Sequence, residues 1–185
     1  MKKVVFCVFL VISSVCIAYL FYSLATPKIP QEIQGVVGSE IDLCLNDMIV
    51  IGDSTGVKKK GKKIVVFTDS TQCATCRLYS IGQWRPFMDS MDKNSKKIEF
   101  FFFFHPSKKN TQIVINKLKD MDLETPIYID IDGRFLLKNP QFPHSPHLQT
   151  MLLDENNIVQ IVGNPINNDK IDKLYRSVID GSLHY

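Results

Sequence analysis

The chain has 185 residues, of which 45% are hydrophobic, and a formal net charge of +3. Such a small positive charge gives no argument for nucleic-acid binding, and no internal repeat is visible. Once an N-terminal segment is set aside, about 160 residues remain, which suits one domain with a single hydrophobic core.

The N-terminus is a candidate membrane segment. Lys2 and Lys3 precede residues 4–25, which carry no charge and would span about 33 Å as a helix, enough to cross a bilayer core. The two lysines favour a cytoplasmic N-terminus, so the rest of the chain is expected outside the cytoplasm. Cleavage after Ser23-Leu24-Ala25 and lipidation of Cys16 are alternatives to an uncleaved anchor. In each of these three cases, the globular part of the chain is expected outside the cytoplasm.

The domain boundaries follow from this segment and the prolines after it. We predict a membrane anchor or signal segment at 1–27, a linker at 28–37 and a globular domain at 38–185. Thr26–Pro30 contains two prolines, which stiffen the chain and block helix continuation.

Two short apolar runs predict a β-hairpin at the start of the domain. Ile41–Leu45 alternates between apolar and polar residues, and Met48–Ile51 follows the turn residues Asn46-Asp47. Cys44 lies on the first run, where we expect a buried small residue, with a third redox thiol as the alternative. The basic run Lys58–Lys63 predicts a solvated turn, with contact to anionic lipid or an acidic partner as the alternative.

Cys73 and Cys76 lie where a strand is predicted to turn into a helix. Ile64–Phe67 is typical of a short buried strand, and 77–84 has apolar residues at helical spacing. Unpaired N–H groups and the macrodipole at a helix N-terminus stabilise a thiolate. The pKa of Cys73 is therefore expected below the free value of about 8.5. Cys76, one turn further, is placed to attack a mixed disulfide formed by Cys73, so the pattern predicts thiol–disulfide exchange.

A structural disulfide and a metal site are the alternatives for this pair. A four-cysteine zinc site needs a second CxxC or a paired histidine motif. The remaining cysteines, Cys7, Cys16 and Cys44, form no second pair. Cys7 and Cys16 fall in the apolar N-terminal segment and fit there as small hydrophobic residues.

The remaining predicted elements alternate between strand and helix. The helix after the cysteines is expected to run towards Met91, with a kink or division at Pro86. The others are a nearly continuously apolar strand at 98–104, a helix at 108–121, a strand at 125–130, a proline-rich loop or short helix at 135–146, hairpin strands at 148–153 and 158–162, and a last helix capped by Asn168 or Asp169. His105 is expected to be a strand-end histidine rather than a ligand.

This order of elements resembles the thioredoxin-like proteins, and in particular the membrane-tethered extracytoplasmic proteins of this kind common in Bacteroidetes. The segments VVFTDSTQCATCRLYSIGQW, MLLDENNIVQIVGNPI and DKIDKLY carry the resemblance, which covers roughly residues 38–180. It implies an α/β fold, a βαβ unit followed by a ββα unit. To this are added an N-terminal β-hairpin, an inserted segment before the last hairpin, and an N-terminal transmembrane helix.

The resemblance implies a membrane-anchored thiol–disulfide oxidoreductase of the inner (cytoplasmic) membrane, with its globular domain in the periplasm. Cys73 matches the attacking thiol and Cys76 the resolving thiol, and no metal or organic cofactor is implied. The expected partners are protein thiol or disulfide substrates, an upstream redox partner and the membrane, but not nucleic acid. Reduction of exported proteins is the favoured direction.

Two positions depart from the family pattern. A cis-proline usually precedes the first strand of the last hairpin, but that place falls near Leu148, with Pro146 two residues earlier. Either Pro146 serves, or the substrate-docking loop is altered. The strand Ile64–Phe67 also lacks the buried acid of many members, which makes Asp69 a candidate proton relay.

Two related functions are the alternatives to an oxidoreductase. A peroxiredoxin-like thiol peroxidase needs a proline and a threonine ahead of the cysteine, whereas Val66 and Ser70 occupy those positions. A copper-binding or non-catalytic protein of this fold is the other, because His144 and His147 lie in the loop expected to face the cysteines.

Overall fold

A computed structural model gives the structure, which describes residues 16–17, 31–52, 61–69, 81–92, 98–121 and 125–182. The chain divides into two units, Met1–Gln31 and Glu32–Tyr185. Within the described residues, no helix has the length and apolar character that crossing a membrane requires. The predicted anchor at 4–25 lies outside them except for residues 16 and 17, and the predicted domain boundaries stay predictions.

The described part of the second unit is built on one mixed sheet of six strands. The strands are β1 (Ile49–Ile51), β2 (Lys62–Thr68), β3 (Ile98–Phe104), β4 (Ile127–Ile129), β5 (Thr150–Leu153) and β6 (Val159–Val162). They lie in the order β1-β4-β3-β2-β5-β6. β2, β3 and β4 are parallel, whereas β1 runs antiparallel to β4, β5 to β2, and β6 to β5.

Four α-helices accompany these strands in the described residues. They are α1 (Arg85–Asp92), α2 (Thr111–Lys119), α3 (Arg134–Lys138) and α4 (Asp169–Ile179). α4 begins where the sequence predicts, because the side-chain oxygen of Asn168 accepts a hydrogen bond from the Ile171 N–H at 3.3 Å. This capping bond pairs one of the backbone donors that a helix start otherwise leaves unsatisfied.

The sheet centre is apolar on both faces. Successive side chains of a strand point to opposite faces, so the five phenylalanines of Phe100–Phe104 alternate between two buried layers. α1, α2 and α4 cover one layer, and the 36–43 segment, α3 and Phe142 cover the other. The prediction of a central strand buried on both sides is confirmed, and the strand has the expected bounds.

The strand order and directions are those of a thioredoxin-like fold. β2 and β3 are parallel neighbours with a helical segment between them in the chain, and β5 and β6 form an antiparallel hairpin followed by α4. This is the predicted βαβ unit followed by a ββα unit. The predicted insertion before the last hairpin is also present, since β4 and α3 precede β5.

The predicted N-terminal β-hairpin is wrong. Only its second run forms a strand, β1, and β1 pairs with β4 rather than with 41–45. The first run is held instead by hydrogen bonds to residues that are distant in the sequence. The Ile41 N–H donates to the Asn157 carbonyl at 3.0 Å, and the Asp42 N–H donates to the Asn139 side chain at 2.9 Å. Cys44 then takes a left-handed conformation with φ of 51°, which ends any extended run.

The helix after the cysteines is divided near Pro86, as predicted. The chain is a 3₁₀-helix at Gly82–Trp84 and becomes α1 at Arg85. Trp84 is buried and makes edge-to-face contacts with Phe87 of α1 and with Phe102 of β3. These contacts hold the end of the segment that follows the cysteines against the sheet. The predicted start of that helix, near Cys73, lies outside the described residues.

The substitution Asn139→Ala tests whether the Asn139 side chain holds the 41–45 segment in place. Its buried side chain donates to the carbonyls of Asp42 and Phe135 and accepts from the Asp42 N–H, at 2.8–2.9 Å. We expect the free energy of unfolding in urea to fall by about 2–3 kcal/mol, because buried backbone groups lose their partners. Asn116→Ala is the control, since its exposed side chain bonds only Gln112 and should cost less than about 0.5 kcal/mol. Equal loss in both variants would contradict this role.

Candidate functional site

The loops after three parallel strands meet at one edge of the sheet. The His105 N–H, directly after β3, donates to the Thr68 carbonyl at the end of β2 at 2.8 Å. The Asp130 N–H, directly after β4, donates to the Phe104 carbonyl at 2.8 Å. In open α/β sheets, binding sites form outside the carboxyl ends of the strands. This edge is therefore the candidate site.

The two predicted catalytic cysteines lie outside the described residues, so Cys73 and Cys76 remain predictions. The structure describes the chain up to Asp69, which follows β2, and again from Ile81, which is helical. The pair belongs to the connection between these two points. The residues that flank this connection form the described part of the candidate site.

Gln149 connects the end of β2 to the loop before β5. It is 1% exposed, and its Nε2 donates to Asp69 Oδ2 at 3.1 Å and to the His144 carbonyl at 3.3 Å. Its own carbonyl accepts from the Phe67 N–H at 2.8 Å. Asp69 thus has a side-chain partner at the candidate site. Its role as a proton relay stays a prediction.

The sequence analysis did not single out Gln149. The available signal was a polar residue placed directly before an apolar strand, which predicts a side chain with a specific partner when it is buried. Spacing alone gave no indication that this partner is Asp69, because the two residues lie 80 positions apart.

The loop before β5 differs from the expected family pattern. Pro146–Leu148 is a 3₁₀-helix in which Pro146 and His147 are exposed, and no peptide bond of the described residues is cis. The residue directly before β5 is Gln149. Of the two alternatives predicted for this place, the altered loop is the one that the structure supports.

His105 is a strand-end histidine, as predicted. Its Nδ1 lies 2.7 Å from the Asp130 carbonyl oxygen, and a carbonyl can only accept, so Nδ1 carries the proton in this contact. The Asp130 carboxylate, in turn, accepts from the N–H groups of Arg134 and Phe135 at 3.0 and 2.9 Å. The Asp130 carboxylate thereby pairs backbone N–H groups at the start of α3, and it fixes the loop that His105 contacts.

The histidines of the loop before β5 belong to no metal-binding cluster among the described residues. His144 and His147 are both exposed. Across the described ranges, no group of three or more His, Cys, Asp or Glu side chains is arranged to hold a metal ion.

Cys44 is a buried small residue rather than a reactive thiol. It is 5% exposed, and its Sγ donates to the Asp42 carbonyl at 3.3 Å. Burial, together with the nearby Asp42 charge, raises the pKa of Cys44 to about 11. A thiolate is the reactive form of cysteine, so this environment disfavours the alternative of a third redox thiol.

A cavity of about 510 Å³ lies at the other end of β2. It is lined by the 42–47 segment, Lys63, Lys138 and Asn157. The Lys63 ammonium is buried and donates to three backbone carbonyls, and burial lowers its pKa. Because Lys63 lies near the amino end of β2, this cavity is separate from the candidate site at the carboxyl end.

Comparisons with known proteins give similar structures but no family. No family model matches the chain, and no curated protein matches it. Among solved structures, it is similar to StoA from Bacillus subtilis, with a TM-score of 0.42 and 23% identity over 58% of this chain and 75% of that one. It is also similar to the C-terminal domain of an uncharacterized protein from Bacteroides fragilis NCTC 9343, with a TM-score of 0.46 and 13% identity over 75% and 95% of the two chains. The fold assignment rests instead on the strand order described above.

The Cys44 environment predicts slow alkylation. At pH 8, a pKa of about 11 leaves more than about a hundredfold less thiolate than the free value of about 8.5. We expect iodoacetamide to modify Cys44 at least that much more slowly in the folded protein than in 8 M urea, as followed by mass spectrometry of the peptide that contains it. Equal rates in the two conditions would show that Cys44 is accessible and ionised.

Proposed function

We propose that this protein is a thiol–disulfide oxidoreductase in which Cys73 attacks and Cys76 resolves. We also propose that residues 4–25 anchor it in the cytoplasmic membrane, with the thioredoxin-like unit in the periplasm. The support for the anchor is the uncharged run after Lys2 and Lys3 and its expected orientation. Disulfides persist in the periplasm, so the redox chemistry and the proposed location agree.

The observation that carries the proposal is the order of elements on either side of the CxxC motif. β2, a central strand, ends at Thr68, and the chain is helical again at Ile81. In the sequence, the CxxC pair lies between a strand that ends at the carboxyl edge of the sheet and a helical segment, which supports the proposed junction. Cys73 follows Asp69 by four residues, so chain connectivity keeps the two within about 14 Å. A thiol at the start of a helix in such a connection has its thiolate favoured.

The proposed reaction in the reducing direction has two steps. The Cys73 thiolate attacks one sulfur of the substrate disulfide, which forms a mixed disulfide and releases the other substrate sulfur as a thiolate that takes up a proton. The Cys76 thiol then loses its proton and attacks the Cys73 sulfur, which releases the second substrate sulfur as a thiolate that also takes up a proton. The substrate gains two electrons and two protons, and the protein is left with a Cys73–Cys76 disulfide.

We propose the reducing direction, and this direction defines the partners that the protein needs. To act again as a reductant, the protein needs a dithiol partner that reduces Cys73–Cys76, which is the upstream redox partner of the proposal. Its substrates are exported proteins that carry disulfides. The buried Gln149 and the altered loop before β5 lie at the edge where such a substrate would approach.

Reduction of insulin disulfides by the full chain in detergent micelles tests the function. With dithiothreitol as the electron source, we expect Cys73→Ser to abolish the activity, because no thiolate remains to attack. In a separate reaction without dithiothreitol, pre-reduced Cys76→Ser should instead accumulate a mixed disulfide through Cys73 that is visible on a non-reducing gel. Cys44→Ser is the matched control and should keep the wild-type rate, since Cys44 is buried with a raised pKa.

Two outcomes of this assay would contradict the proposal. A wild-type rate in Cys73→Ser would exclude the CxxC pair as the reacting group. Peroxide consumption that needs Cys73 but not Cys76, without insulin reduction, would support a thiol peroxidase in its place.

A further inference from the structure

The two outer strands of the sheet, β1 and β6, differ in how their backbones are covered. Along β6, the 38–40 segment covers the outer side. The Gly38 N–H donates to the Val159 carbonyl at 2.8 Å, and the Val159 N–H donates to the Ser39 carbonyl at 2.9 Å. In the part of the chain that the structure describes, no backbone group outside β4 bonds to β1. The outer side of β1, called the β1 edge below, is therefore the place where a further strand can pair.

The backbone of β1 directs hydrogen-bonding groups away from β4. The two strands pair antiparallel, with Ile49 opposite Ile129 and Ile51 opposite Ile127. In an antiparallel ladder, successive residues turn their N–H and C=O groups alternately to the two sides of the strand. At least one of the three residues of β1 therefore directs its N–H and C=O outward. An extended chain beside β1 pairs with such groups through its own backbone.

Exposed apolar side chains are concentrated around the β1 edge. Among the described residues of the second unit, five large apolar side chains are exposed, and four of them lie on or beside β1. These four are Ile49 and Val50 of β1, Ile113 of α2 and Leu137 of α3. α2 packs against β1. Lys138 of α3 forms an ion pair at 3.1 Å with Asp47, which lies two residues before β1.

The apolar side chains occupy both faces of the sheet at this edge. Ile49 lies opposite Ile129, on the face that α2 covers, and Val50 lies opposite Tyr128, on the face that α3 covers. Directly opposite residues of paired strands share a face. A chain added beside β1, with its side chains pointing alternately to the two faces, therefore meets apolar surface on each.

The sequence of β1 carries none of the usual protections of an edge strand. Such strands are normally kept unpaired by charged side chains, proline or a bulge. β1 consists of Ile49, Val50 and Ile51 only, and its pairing with β4 runs without a register shift. An exposed apolar patch of this kind indicates a binding surface.

The size of the patch favours a transient peptide partner over a second copy of this chain. Each partner of a stable complex buries roughly 800 Å², and the exposed parts of four aliphatic side chains offer only about half of that area. β1 is also three residues long, so two copies paired through it would share few hydrogen bonds. An extended segment, by contrast, runs past both ends of β1 and reaches α2 and α3.

We propose that the β1 edge binds an extended, apolar segment of another protein, which adds to the sheet as a strand beside β1. Its backbone pairs with the outward N–H and C=O groups of β1. Its side chains contact Ile49 and Ile113 on one face and Val50 and Leu137 on the other. This surface runs along the side of the sheet, apart from the carboxyl ends of the parallel strands, and the inference does not depend on the proposed redox reaction.

Two labelled peptides test whether the partner binds as a strand. The first is a fluorescein-labelled nine-residue peptide in which valine alternates with threonine. The second has the same side chains, but its two central amides are N-methylated, which blocks strand pairing on both sides. Each is kept at nanomolar concentration and titrated with the full chain in phosphatidylcholine nanodiscs, with empty nanodiscs as the blank. We expect the first to bind, by fluorescence anisotropy, and the second to bind at least about tenfold more weakly.

Two matched variants test where the peptide binds. Val50→Lys places a charge on the β1 edge and should weaken binding of the first peptide at least about tenfold. Val37→Lys is the control, because Val37 precedes the segment that covers β6, and its affinity should stay within about twofold of the wild type. Val50 and Val37 are 38% and 51% exposed, so a lysine ammonium reaches water at either position. The thermal unfolding midpoints of both variants should match the wild type.

Three results would overturn this inference. Equal affinity for the two peptides would show contact through side chains without strand pairing. Equal affinity of Val50→Lys and Val37→Lys for the first peptide would place its binding away from β1. No binding by the wild type would exclude the peptide as occupant, and a dimer of the full chain that Val50→Lys dissociates would then assign the edge to a second copy. Insulin reduction through Cys73 is scored separately, so the proposed function stands or falls on its own.

Discussion

The parallel pairing of β2 with β3 is the interaction on which the rest of the structure depends. All seven residues of β2 pair in register with β3, from Lys62 with Ile98 to Thr68 with Phe104. The five phenylalanines of Phe100–Phe104 fill both layers beside it, and burying such side chains is the main favourable contribution to folding. Because this pairing fixes where β2 ends, it also fixes the edge of the sheet from which the CxxC connection departs.

The structure uses its buried polar groups to hold loops at that edge. Asp130 satisfies the start of α3 and its carbonyl meets the His105 ring, while Gln149 joins Asp69 to the loop before β5. Asp130 and Gln149 are both buried and hydrogen-bonded, which makes their positions well determined. A reaction that requires a thiolate, a second thiol and a substrate disulfide to align needs such a fixed frame.

Regular elements were the part of the fold that sequence patterns predicted well. The nearly continuous apolar run of β3 predicts a buried strand, and the apolar period and cap residue of α4 predict a helix. Both form where predicted. The first hairpin was wrong because Ile41–Leu45 has the alternation of a strand, while its backbone partners, Asn139 and Asn157, come from distant parts of the chain. Gln149 was missed for the same reason, since side-chain partners 80 residues apart leave no local pattern.

The central claim is that Cys73 and Cys76 form a reversible redox pair, and equilibration of the full chain with glutathione buffers tests it most directly. Mass spectrometry of trapped thiols would follow the disulfide at each ratio of oxidised to reduced glutathione. The account predicts one two-electron transition between these two cysteines, at a potential between about −270 and −120 mV, the range of thiol–disulfide oxidoreductases. Failure of the two to form a disulfide with each other at any ratio would contradict it.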